Sequence, residues 1–251
     1  PDDIASITVL KEAAGTAIDG SQGANGVIEI KTKRGFRGKT KVTYSYAATM
    51  TYQPKGMRML NGDQYTMLMK EAYYNPELSD AASDIPEFNY DPSFAEYEHY
   101  NNNTDWVDAV TKVGWLQKHY VTLSGGGEKA AFRISAGYDH QTGTVIAQEL
   151  DRFTTRVALD YFVSDRIKIV TNFNLTYQDN QKNYSDLLNI AYRKMPNMSI
   201  YEQDAYGNNT PNYYHMLPTA SSTFRQNGDQ YSLVNPVALA YEATNEETLY
   251  R

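Results

Sequence analysis

The chain has 251 residues, 41% of them hydrophobic, and sets 23 Lys and Arg against 30 Asp and Glu for a formal charge of -7. That acidic balance excludes a general nucleic-acid surface, and the absence of Cys excludes a disulfide framework, a thiolate nucleophile and a Cys-ligated zinc. No run approaches the roughly 18 apolar residues of a spanning helix, but a transmembrane barrel leaves no such run because its apolar residues alternate.

In chain order, Pro1 to Gly35 comes first. It holds two β-rich runs, Ile7-Thr8-Val9-Leu10-Lys11 and Ile30-Lys31-Thr32-Lys33, bracketing a small-residue turn with Gly20-Ser21 and Gly23-Ala24-Asn25-Gly26. The glycines fail the dinucleotide spacing because Gln22 and Ala24 stand where Gly is needed, so they read as turn residues. From Thr40 to Tyr52 the period becomes two, with Val42, Tyr44, Tyr46, Met50 and Tyr52 opposing Thr43, Ser45, Thr49 and Thr51. The same two-faced pattern recurs at Ala130 to Tyr138, Phe153 to Val163 and Ile167 to Tyr177, with a shorter strand at His119 to Ser124. The apolar faces carry Phe132, Ile134, Val157, Leu159, Ile169 and Phe173. The other faces carry Arg133, Arg156, Asp160, Lys168, Asn172 and Asn174.

Strands of about ten to thirteen residues suit a tilted membrane crossing of about 9 to 11, whereas strands of soluble domains are nearer 5 or 6. Gly125-Gly126-Gly127-Glu128 and Ser164-Asp165 make short turns on one rim, while the alternate connections are long. Within these, Met59 to Ala72 reads as an amphipathic helix with Asn61 as N-cap, and Thr104 to Val110 as another with Thr104 as cap. The excess of Tyr, 22 against 2 Trp, fits interfacial girdles and wet binding surfaces. Pro1 is not preceded by Met or a leader, and a strand begins at Leu249-Tyr250-Arg251, so both ends are expected to be cut from a longer chain.

These motifs resemble one family over nearly the whole chain, the SusC/RagA branch of TonB-dependent outer-membrane transporters. The plug ending is similar through Gly23-Ala24-Asn25-Gly26, the first external loop through Thr104-Asp105-Trp106, and the barrel through Leu123-Ser124-Gly125-Gly126-Gly127-Glu128 and Asp151-Arg152-Phe153. The third external loop is similar through Arg193 to Tyr201, and Asn235-Pro236-Val237-Ala238-Leu239 resembles the run into a sixth strand. Asp19 and Gln22 depart from the family's usual aromatic and basic residues, which affects plug-to-wall contacts.

The resemblance implies an all-β chain: a partial transmembrane antiparallel β-barrel of about five strands, preceded by the C-terminal piece of an α/β plug domain. Residues 1–35 would be plug and 36–251 barrel with long extracellular loops. It further implies a cell outer membrane location and TonB-dependent import of an oligosaccharide, glycan or peptide, with partners in a SusD-like surface lipoprotein, TonB and outer membrane lipid. The alternatives are a siderophore or cobalamin receptor and a secreted β-sandwich carbohydrate-binding module, whose solvated sheet face would read almost alike.

For ligand contact the candidates are Tyr184, Tyr201, Tyr206, Tyr213 and Tyr214 with Asn208, Asn209 and Asn212, apolar platforms beside hydrogen-bonding groups that also suit a contact with the lid lipoprotein. No catalytic residue, cofactor or metal is expected: the four histidines His99, His119, His140 and His215 form no HExxH, and no carboxylate pair stands out. The one cation candidate is Ca²⁺ among Asp179, Asn180, Asn183 and Asp186 in a loop, although the spacing is not that of an EF-hand.

Overall fold

A computed structural model describes residues 3–10, 26–77, 85–183, 186–215 and 233–250. Two strands, β1 (Ile4–Leu10) and β2 (Val27–Thr32), form an antiparallel pair of their own. A linker then leads into β3 (Gly38–Thr51), the first strand of a larger sheet. Helix α1 (Gly62–Glu77), a 3-10 turn at Pro86–Phe88, and short helices α2 (Tyr97–Tyr100) and α3 (Trp106–Val110) precede β4 (Gly114–Gly126). Strands β5 (Ala130–Thr142), β6 (Glu149–Ser164) and β7 (Ile167–Asn183) follow. Then come α4 (Leu187–Arg193), a small hairpin of β8 (Tyr201–Gln203) and β9 (Asn209–Tyr213), α5 (Pro236–Glu242) and β10 (Thr244–Tyr250).

The large sheet is an antiparallel meander of six strands in the order β10-β7-β6-β5-β4-β3, one more than the five expected. The expected strand at His119 to Ser124 is thirteen residues long, because the polar Gln117 and Lys118 hide its outer half from a hydrophobicity pattern. Residues 127–129 and the pair Asp165 and Arg166 are the tight turns, the second one residue beyond the place expected. The long connections all leave the opposite rim.

Directly paired residues share a face, so the ladder shows what each face carries. Val42, Leu123, Ile134, Val157 and Phe173 form one row across five strands. Nearer the long loops, Tyr46, His119, Tyr138, Phe153, Tyr177 and Tyr250 form an aromatic row across all six. Neighbouring rings touch at its ends, with centroids 4.9 Å apart for Tyr46 and His119 and 5.1 Å for Tyr177 and Tyr250. This face is open: Tyr44, Leu159, Ile169 and Phe173 are all exposed. On the opposite face the polar Thr122, Ser124, Ser135 and Asp160 are buried, as are Ala131 and Ala158. Apolar outside and polar inside is the inverse of a water-soluble sheet, and it matches a barrel wall with lipid on one side.

The largest apolar core lies in the long connections. Phe88, Tyr100, Trp106, Val110, Leu187, Met195, Met198 and Tyr214 pack into one cluster with Ile85, Ile146 and Val237. Local caps set its helices. Asn61 Oδ1 accepts from Gln64 N at 2.9 Å while Gln64 Oε1 accepts from Asn61 N at 3.3 Å, a reciprocal capping box at the start of α1. The cap of α3 is Asp105, not Thr104, since Thr104 Oγ1 instead donates to the Met198 carbonyl at 2.5 Å. The segment expected to run into a sixth strand is helix α5, with Asn235 as cap and Pro236 in its first turn. Inside this module Lys194 is buried, donating to the Leu233 carbonyl at 2.5 Å, and burial pulls its pKa from 10.5 down to about 8.

Two outcomes follow from these placements. Leu159→Arg in the full-length protein should cost about 2 to 4 kcal/mol, as a cation at the bilayer midplane does, and lower folded yield, whereas Asn172→Arg on the opposite face should leave yield unchanged. Equal tolerance would reject the register. For Lys194, the folded pKa is depressed, so its charged form is a burden below about pH 8 that is relieved as pH rises toward 10.5. Wild type should therefore gain thermal stability over that window relative to Lys194→Met, and a pH-independent difference in melting temperature would contradict it.

Candidate functional site

Among the described residues, two places bear on the expected function. The first is the covered face of the sheet, where the β1–β2 hairpin and its linker meet the wall. Asp3 accepts from Arg133 Nε at 3.0 Å and from Ser135 Oγ at 2.5 Å. Thr32 Oγ1 accepts from Arg156. Arg34 Nη1 reaches Asp160 Oδ1 at 2.8 Å, and Lys168 Nζ holds the other oxygen of that carboxylate at 3.0 Å. Gly35 lets the linker pass against β5, because a Cβ there would stand 2.4 Å from the Phe132 carbonyl oxygen. Arg133, Arg156 and Asp160, assigned to a wet interior by the alternation alone, are thus the groups that hold the hairpin and its linker, and Lys168 supports Asp160 from within the wall.

The second place is the loop module on the long-loop rim. Its frame is a set of side chains that satisfy the backbone of residues 195–200. Trp106 Nε1 donates to the Met195 carbonyl at 2.7 Å and Asn235 Nδ2 to the Ile200 carbonyl at 2.7 Å. Asn197 Nδ2 in turn donates to the Glu87 carbonyl at 3.1 Å. None of these long-range partners has a local sequence signal. Beside the frame lies a cleft of about 740 Å³ between residues 53–61, α1, α3 and α4. Lys55, Arg58, Trp106, Asp108 and Tyr192 are among the side chains that line it.

The expected ligand residues mostly fall on the β8–β9 hairpin, but their roles differ. Tyr206 stands 88% exposed near its tip. Tyr201 and Tyr213 stack on each other at 5.4 Å. Asn208 serves the turn: its backbone and side-chain N–H groups, with the Tyr206 backbone N–H, bind Asp204 and hold that carboxyl below its usual range. Asn209 Oδ1 accepts from Gln203 at 3.0 Å, and Asn212 Nδ2 donates to Glu202 at 3.0 Å. Tyr214 is a correction. It is 4% exposed, stacks on His99 at 4.1 Å and donates to Glu96 at 2.9 Å, and burial raises its phenol well above the ordinary tyrosine range, so it belongs to the core. Tyr184 lies outside the described residues.

The Ca²⁺ candidates do not converge. Asp179 and Asn180 point to opposite faces of β7, Asn183 ends that strand, and Asp186 caps α4 by accepting from Asn189 N at 3.2 Å.

No family model matches the chain. Among curated proteins it is 29% identical over 256 residues to the TonB-dependent receptor P3 of Formosa agariphila, a match covering 98% of this chain and 22% of that protein. It is 30% identical over 188 residues to the TonB-dependent receptor SusC of Bacteroides thetaiotaomicron, covering 74% of this chain and 17% of that one. The chain therefore spans about a fifth of the length of these relatives. Among solved structures, the RagAB peptide importer in its closed-closed state superposes with a TM-score of 0.65 at 20% identity, covering 94% of this chain and 28% of that one. The open-open state gives 0.56 at 22% identity over 72% of this chain and 22% of that one. At such identities the structural likeness shows the fold.

Proposed function

The chain belongs to the SusC/RagA type of TonB-dependent receptor, an outer-membrane β-barrel family, and we propose that it is the plug-to-barrel junction and first wall section of an importer of oligosaccharides or peptides. In this reading residues 1–35 end the plug and residues 36–251 begin the barrel. The observation that carries it is the inverted sheet: apolar rows outward, and a polar inner face that already holds a hairpin. A soluble β-sandwich would cover the apolar face with a second sheet, and among the described residues nothing covers it.

Passage of a ligand through the lumen requires the hairpin to leave the wall. The contacts at Asp3, Thr32 and Arg34 are hydrogen bonds to charged groups, each contributing about 1.5–3 kcal/mol at most, so a modest pull can release them. Energy would come from TonB acting on the plug. On the external side the loop module and its exposed Tyr206 hairpin would meet the ligand or a SusD-like lipoprotein closing over the rim. A polar polymer, whether glycan or peptide, suits Tyr and Asn groups that combine a flat apolar surface with hydrogen bonding. A siderophore or cobalamin receptor would share the wall, but the curated relatives named SusC and P3 do not point there.

Sidedness tests this reading. In cells expressing the full-length protein, Cys placed at Asn208 in the hairpin turn should react with an impermeant thiol reagent. Cys at Glu128 in the tight turn should react only after the outer membrane is opened. The reverse labelling would invert the topology and overturn the proposal.

A further inference from the structure

The open face of the sheet changes chemistry beyond its aromatic row. The next row toward the long loops carries Ala48, Gln117, His140, Asp151, Asp179 and Thr248, and the row after that carries Thr142, Glu149, Gln181 and Glu246. Neither contains a Lys or Arg. Asp151 stands directly opposite Asp179, a like-charge cross-strand pair that costs a sheet stability. A single imidazole cannot neutralise four carboxylates, so the rows are short of positive charge.

The donors already converge. His140 Nδ1 lies 3.0 Å from Asp151 Oδ1 and 3.6 Å from Glu149 Oε1, and one ligand atom from each of the three residues fits within 4.8 Å. Around a tetrahedral zinc with bonds of about 2.0–2.1 Å, ligand atoms stand about 3.3 Å apart. The two spacings from His140 bracket that figure and the two carboxylate oxygens lie within 4.8 Å of each other, so coordination asks for side-chain adjustment that draws the carboxylates in. Tyr138 Oη donates to Asp151 at 2.6 Å, fixing one carboxylate from outside the donor set. All three ligands come from paired positions on β5 and β6, a frame more rigid than a loop.

We infer that His140, Glu149 and Asp151 form a site for one divalent transition metal, represented by zinc, at the outer edge of the open face. The imidazole favours zinc or its neighbours over Ca²⁺ or Mg²⁺, which take oxygen ligands. Side-chain exposures of 29, 47 and 37% for His140, Glu149 and Asp151 leave the fourth position open to water or a phosphate oxygen. The metal would offset the carboxylate excess where the aromatic row ends, tying β5 to β6. In sequence these residues lie on either side of a hairpin and match no metal motif.

The test uses the full-length protein in detergent, stripped with EDTA, exchanged into chelator-free buffer and titrated with Zn²⁺ by calorimetry. Wild type should bind one equivalent that His140→Ala abolishes. Glu149→Gln and Asp151→Asn, which preserve shape, should each weaken it at least about tenfold. Asp139→Asn on the covered face should leave the isotherm unchanged. No binding by wild type, or an isotherm that survives His140→Ala, overturns the site. Ca²⁺ binding of equal affinity and indifferent to His140 overturns the assignment to a transition metal.

Discussion

The structure rests on a sheet whose amphipathy is reversed. Backbone pairing along six strands satisfies the hydrogen-bonding groups within the sheet, which frees the two faces to follow their surroundings. The open face then requires a medium that accepts Tyr44, Ile134, Val157 and Phe173 without cost, and the covered face requires polar partners. Both requirements are met at once by a bilayer outside and a plug inside. Every other assignment, from which rim is external to what the hairpin does, depends on that choice.

The polar side is economical in its contacts. Asp160 is shared between Arg34 of the linker and Lys168 of the wall, so the wall keeps a partner for this carboxylate if the linker departs. Asp3 has no such reserve on its own element, and its removal would leave Arg133 without that carboxylate. Half-buried pairs of this kind hold position through geometry while contributing little net stability, which suits the release that the proposed import requires. The loop module is built differently, around Phe88, Met195, Met198 and Trp106, with Asn197 and Asn235 serving buried carbonyls. It is a folded platform on the rim of the wall.

The period-two pattern made the strand faces legible, because alternation is local and Arg133, Arg156, Asp160 and Lys168 fall on one parity. The capping box at Asn61 and Gln64 was legible for the same reason. The pattern ends β4 short at His119, because Gln117 and Lys118 interrupt the apolar rhythm of its outer half. The run from Asn235 to Leu239 does lead into the sixth strand of the sheet, β10, but as helix α5, whose local signal is the Asn235-Pro236 start. Thr104 lost its capping role to a carbonyl 94 positions away in sequence. Tyr206 and Tyr214 show the limit most clearly: the same residue type in the same segment ends up exposed in one case and 4% exposed in the other. Burial there is set by His99, Tyr100 and Glu96, which no local pattern connects to Tyr214.

The central claim, that the apolar face of this sheet meets lipid, is tested most directly by spin labels placed one at a time along β5 in the full-length protein reconstituted into liposomes. Collision with oxygen should peak at Phe132, Ile134, Ala136 and Tyr138, and collision with a water-soluble nickel complex should not. Labels at Ala131, Arg133 and Ser135 should show the opposite or be shielded from both. An absence of this two-residue alternation, or its inversion, would contradict the account.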